Sequence, residues 1–105
     1  MITTTNITVQ NTNTLAYEST GETGITTLMI CNHTDTSTTA VVNVFVVPSA
    51  DNAGVANQIL KNLSIVAGDT FVMDMEKLVL SDGDSIVVSS DQPIVNVVIS
   101  SMAVA

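Results

Sequence analysis

The sequence predicts an all-β chain, folded as a single antiparallel β-sandwich or jelly-roll-like domain of about eight strands over residues 1–105. Three observations predict it. Hydrophobic residues make up 46% of the chain and charged residues only 11%, against about 25% charged in an ordinary soluble domain. The polar surface must therefore come from Thr, Asn and Ser, which suit strands and turns better than helix interiors. Short β-branched segments recur at near-regular spacing, divided by Gly, Asn, Asp and Ser. One turn-and-strand pattern also occurs twice.

The elements follow in order. Ile2–Val9 alternates weakly and reads as a first strand, closed by the turn Asn11-Thr12-Asn13. Thr14–Ser19 is a short second strand, and the segment from Thr20 to Gly24 a glycine-containing connection. Ile25–His33 and Thr39–Val47 are strongly β-prone, and Pro48 stops the latter, since proline cannot donate to a ladder. Residues 49–56 are irregular, with a helical turn around Val55 and Ile59 weakened by Gly54 and Asn57. Gln58–Val66, Asp69–Met75, Lys77–Leu80, Ser85–Ser90 and Ile94–Val104 read as the remaining strands.

The repeat pairs Val66-Ala67-Gly68-Asp69-Thr70-Phe71-Val72 with Ser81-Asp82-Gly83-Asp84-Ser85-Ile86-Val87. In each, glycine allows a positive φ and aspartate can close the turn. The two copies are expected to form equivalent corners of the sandwich.

A strand in an antiparallel sandwich should show one apolar and one wet face. Several strands here do not. Ala40, Val42, Val44 and Val46 lie opposite Val41, Asn43, Phe45 and Val47. Leu28 and Ile30 lie opposite Met29 and Cys31, and Val95, Val97 and Ile99 opposite Ile94 and Val98. Apolar faces beyond one core must be covered. Covering about 800 Å² of apolar surface contributes on the order of 20 kcal/mol before association costs. The expected contact residues are Val42, Val44, Val46, Val95, Val97, Ile99 and Met102, on Thr39–Val47 and Ile94–Val104. The alternative is a strand buried on both sides within one chain, under residues 49–63.

The formal net charge is −8, and Lys61 and Lys77 are the only basic residues. Nucleic-acid phosphates and anionic membranes would both repel such a chain. A lone cysteine, Cys31, excludes an internal disulfide scaffold. No basic segment followed by an apolar one opens the sequence, and no apolar run reaches the length of a membrane helix, so synthesis and folding in the cytoplasm are expected.

Chemical constellations are sparse. Cys31 and His33 stand two apart, but a metal centre needs further Cys or His ligands and the chain has none. His33 would be the base of any Ser-His-Asp arrangement, yet no serine sits in a nucleophile elbow. Asp82, Asp84 and Asp91, with Ser81 and Ser85, form a calcium candidate; turn chemistry explains Asp82 and Asp84 equally well. Asp74 and Glu76 are expected in solvent, offset by Lys77. Tyr17, Phe45 and Phe71 are the only aromatics, few for a sugar or base platform. The glycosylation patterns at Asn6, Asn32 and Asn62 are expected by chance in so Asn- and Thr-rich a chain. No catalytic residue and no cofactor is expected.

Ile30-Cys31-Asn32, the run Val41–Pro48, Lys61-Asn62-Leu63-Ser64-Ile65-Val66-Ala67-Gly68-Asp69-Thr70, Lys77-Leu78-Val79-Leu80, Gly83-Asp84-Ser85-Ile86 and the closing Val95–Ser101 form a recognisable series. From Leu28 onward, about three-quarters of its length, the chain resembles small virion proteins of tailed bacteriophages, particularly those of marine bacteria and cyanobacteria. The resemblance implies a non-enzymatic structural protein located in the virion: a capsid decoration or cement protein, or a neck, tail or fibre component. The implied partners are further copies of the chain, with a trimer favoured, and other virion proteins such as the major capsid or tail proteins. Neither nucleic acid nor membrane is among them. The alternative is a host-surface adhesion module binding glycan through residues 49–57 or the Asp82 corner.

Overall fold

A computed structural model describes the backbone of residues 1–104 and the side chains of these residues except 75–77. Among the described residues there are eight strands: β1 (Ile2–Ile7), β2 (Thr14–Glu18), β3 (Thr23–Asn32), β4 (Ala40–Val47), β5 (Gln58–Ile65), β6 (Thr70–Leu80), β7 (Ser85–Ser90) and β8 (Val95–Ala103). A short 3₁₀ turn, Val55–Asn57, precedes β5. The first sheet has the order β1-β8-β3-β6 and the second β2-β7-β4-β5.

Pairing β1 with β8, β2 with β7, β3 with β6 and β4 with β5, all antiparallel, folds the chain in half as one long hairpin. Every connection crosses between the sheets except β4 to β5. That hairpin, rolled on itself, is a jelly roll. The core lies between the sheets, on alternate residues of each strand: Leu28 and Ile30, Val42 and Val44, Ile86 and Val88, Val95, Val97 and Ile99.

The two sequence corners are structurally equivalent. In the first, Asp69 N–H donates to the Val66 carbonyl; in the second, Asp84 N–H donates to the Ser81 carbonyl, each at 3.0 Å. Gly68 and Gly83 hold φ of 78° and 86°, the positive value a type II turn needs at its third residue. Each turn carries the chain from one sheet to the other and is docked by the same exchange of backbone bonds. Gly68 N–H donates to the Asn32 carbonyl and Asn32 N–H to the Asp69 carbonyl. Gly83 N–H donates to the Ser19 carbonyl and Ser19 N–H to the Asp84 carbonyl. Both anchors, Asn32 and Ser19, are buried.

One element differs from expectation. The predicted strands Asp69–Met75 and Lys77–Leu80 are a single strand, β6. Thr27 and Ile25 on β3, separated by one residue, pair with Asp74 and Leu78, separated by three. The interruption read in the sequence is thus an irregularity within a continuing strand. The ion pairing expected of Glu76 and Lys77 lies outside the described side chains.

Candidate association surface

The strands expected to meet other copies, β4 and β8, are both interior to their sheets. Val42, Val44, Val95, Val97 and Ile99 are fully buried between the sheets, and Val46 packs against the same core. This corrects the sequence expectation: in the folded chain these six residues form the domain's own core and are not free for contact. Of the seven contact residues, Met102 alone lies open, 62% exposed near the end of β8.

The opposite faces of these strands have different fates. On β4, Phe45 and Val47 point away from the core, yet are only 8% and 3% exposed. The 3₁₀ turn of the segment joining β4 to β5 lies against β4. Asn43, on the same outer face, accepts from Gln58 Nε2 and from Asn62 N–H, each at 2.9 Å. It thereby holds the bulge where Asn62 takes φ 54°. The second sheet's outer face is therefore partly closed by the chain itself, the alternative weighed from the sequence.

The first sheet's outer face is not closed in this way. The pairings align Thr4, Val98, Met29 and Val72 in one row across all four strands. Rows of Asn6, Asn96, Cys31 and Thr70, and of Ile2, Ser100, Thr27 and Asp74, flank it. Val72 is 58% exposed, and Ile2, Val79 and Met102 are also large exposed apolar residues. Asp74 is the one carboxylate in these rows.

Charge placement sharpens the contrast. Glu22, Asp35, Asp51, Asp69, Asp82, Asp84 and Asp91, seven of the ten acids, lie in connections between strands. The acids thus crowd the two ends of the sandwich and, among the described side chains, leave the middle of this face nearly neutral. Copies meeting through it would keep their acidic ends at its margins rather than in the contact.

The polar candidates are dispersed. Asp82 and Asp84 precede β7 and Asp91 follows it, which sets them on the order of 20 Å apart along a six-residue strand. Asp82 Oδ1 accepts from Gly21 N–H, Asp84 accepts from Ser49 N–H through Oδ1 and Ser81 N–H through Oδ2, and Asp91 Oδ1 accepts from Val41 N–H. Each carboxylate closes a separate piece of backbone, which corrects the calcium candidate; among the described residues no group of three potential ligands comes together. Cys31 lies on the first sheet's outer face, half-buried, whereas His33 has left the strand and is exposed, its N–H donating to the Ile94 carbonyl. A cleft of about 430 Å³ opens beside Met1, Tyr17, Glu18, Thr20 and Thr23. Among the described residues its lining brings one carboxylate, Glu18, and one phenol, Tyr17.

No family model, curated protein or solved structure matches this chain.

Sequence reasoning missed Asn32. Its Nδ2 donates to the carbonyls of Thr38 and Ile65, both at 2.9 Å, and its Oδ1 accepts from Thr34 N–H. A signal existed: Leu28, Ile30 and Asn32 share one phase of β3, and a polar residue in a core phase must find partners inside.

Proposed function

We propose that this chain is a non-enzymatic structural subunit of a virus particle of the tailed-bacteriophage type, working by many-copy self-association and docking on other particle proteins. The observation that carries the reading is the nearly neutral outer face of the first sheet, with its row Thr4, Val98, Met29 and Val72. Three features support it. Phe45 and Val47 on the second sheet's outer face are buried within the chain, whereas Val72, Val79 and Met102 on this one are exposed. Asp82, Asp84 and Asp91 are each engaged in closing backbone turns and connections. The jelly roll is also an architecture of capsid domains, a fold-level analogy that lectins and cupins share.

The size of the face sets the mode of action. Four strands about 4.8 Å apart and eight residues long at about 3.3 Å each offer roughly 500 Å², below the ~800 Å² per partner of a standard stable interface. One such contact is modest, and repetition over many copies makes the assembly durable.

Val98→Asp tests this reading. Val98 points outward, so the variant should fold, losing about 1 kcal/mol for a poor strand former. It should lose association through this face, and be missing from purified particles. A folded Val98→Asp chain that associates and incorporates normally would overturn the proposal.

A further inference from the structure

Sheet edges present unpaired backbone groups, and proteins usually protect them with charge, bulges or brevity. Three of the four edges here are protected. β5 carries Lys61 and the left-handed bulge at Asn62. β2 has five residues and a register break, and β6 carries Asp74 beside its irregularity. β1, Ile-Thr-Thr-Thr-Asn-Ile, has no charge, no proline, no glycine and an unbroken register with β8.

The hydrogen-bond phase of this edge can be read from its first pair. Met1 N donates to the Ser101 carbonyl at 2.6 Å, and Ser101 N–H donates back to the Met1 carbonyl at 2.7 Å. Bonded pairs alternate along an antiparallel ladder. Thr3, Thr5 and Ile7 therefore bond to β8, while the N–H and C=O of Ile2, Thr4 and Asn6 point away from the sheet. These outward residues are spaced symmetrically about Thr4.

We infer that β1 pairs antiparallel with β1 of a second copy, about a two-fold axis through Thr4, joining the two first sheets into one continuous sheet. This deepens the association reading and rests on it. The register places Thr4 against Thr4 and Ile2 against Asn6 of the other copy. Every outward N–H then meets an outward carbonyl, the arrangement of an isologous interface. A two-fold normal to the sheet keeps outer faces on one side. The row Thr4, Val98, Met29 and Val72 then runs on through the axis into its counterpart, extending the surface available to further partners. A second copy brings an identical edge, equally without charge, proline or bulge, so neither strand of the pair carries a feature that blocks the pairing. The symmetry is two-fold, whereas the sequence reading favoured a trimer.

Thr4→Pro tests the inference. Thr4 N–H takes no part in the β1–β8 ladder, so proline there should leave the monomer's unfolding midpoint near that of the natural chain. Losing the bonds on the axis should weaken dimerisation about thirtyfold or more in sedimentation equilibrium. Thr4→Lys, which sets like charges together on the axis without constraining the backbone, should do the same and decides the matter if the proline variant does not fold. Natural-strength dimers in a folded Thr4→Pro or Thr4→Lys chain, or a trimer as the first species formed, would overturn the β1 pairing while leaving self-association standing. A natural chain that stays monomeric throughout would remove both.

Discussion

Val97→Asp is expected to unfold the chain outright, although the same change one residue along, at Val98, should leave it folded. Val97 is fully buried, its backbone flanked by Thr5 on β1 and Ile30 on β3 and its side chain in the core between the sheets. Removing the isopropyl group forfeits about 2 kcal/mol of burial. The incoming carboxyl then has no partner: it must stay ionised in an apolar interior or take up a proton, and either adds several kcal/mol. The sum, on the order of 5 kcal/mol or more, rivals the whole stability of a small domain, about 5–15 kcal/mol. Circular dichroism and urea titration check this. A cooperative transition at the natural midpoint would show that Val97 lies at a surface, as the sequence alone suggested.

Asn32→Leu should produce the second-largest effect, despite similar volume and a more apolar side chain. Asn32 holds the β3–β4 connection through the Thr38 carbonyl and Thr34 N–H, and reaches the end of β5 through the Ile65 carbonyl. Its backbone docks the Gly68 corner at the same point. Leucine keeps the backbone bonds and deletes those of the side chain. The backbone groups left behind lose about 1–3 kcal/mol each where water cannot reach them, for a total of about 3–5 kcal/mol. In a domain of this size that lowers the melting temperature by about 15 °C or more, readable by scanning calorimetry. A loss of only about 3 °C would mean that water replaces the side chain and that Asn32 is not the bolt described.

The physical reasons for what the sequence did and did not reveal differ by residue. The turns at Gly68 and Gly83 were legible because their chemistry is local: glycine supplies the positive φ in both, and Asp84 adds a side-chain bond to the Ser81 N–H in the second. Strand positions were legible because β-branched runs and turn residues alternate. The inner face of each strand was not. Val42 and Val44 bear side chains as apolar as those of Phe45 and Val47, and only the packing of the two sheets decides which pair enters the core. Edges are hidden for the same reason, since β8 becomes interior only when β1 and β3 take their places beside it. Asn32 resembled many turn asparagines because one of its partners, Ile65, is 33 residues away.

The open face and the β1 edge lead to one claim, that copies of this chain bind one another. Sedimentation equilibrium of the natural chain from micromolar to near-millimolar concentration tests it most directly. The weight-average mass is predicted to climb from the 11.0 kDa of a single chain toward twice that value and beyond. A mass fixed at that of one chain across the whole range would contradict the account.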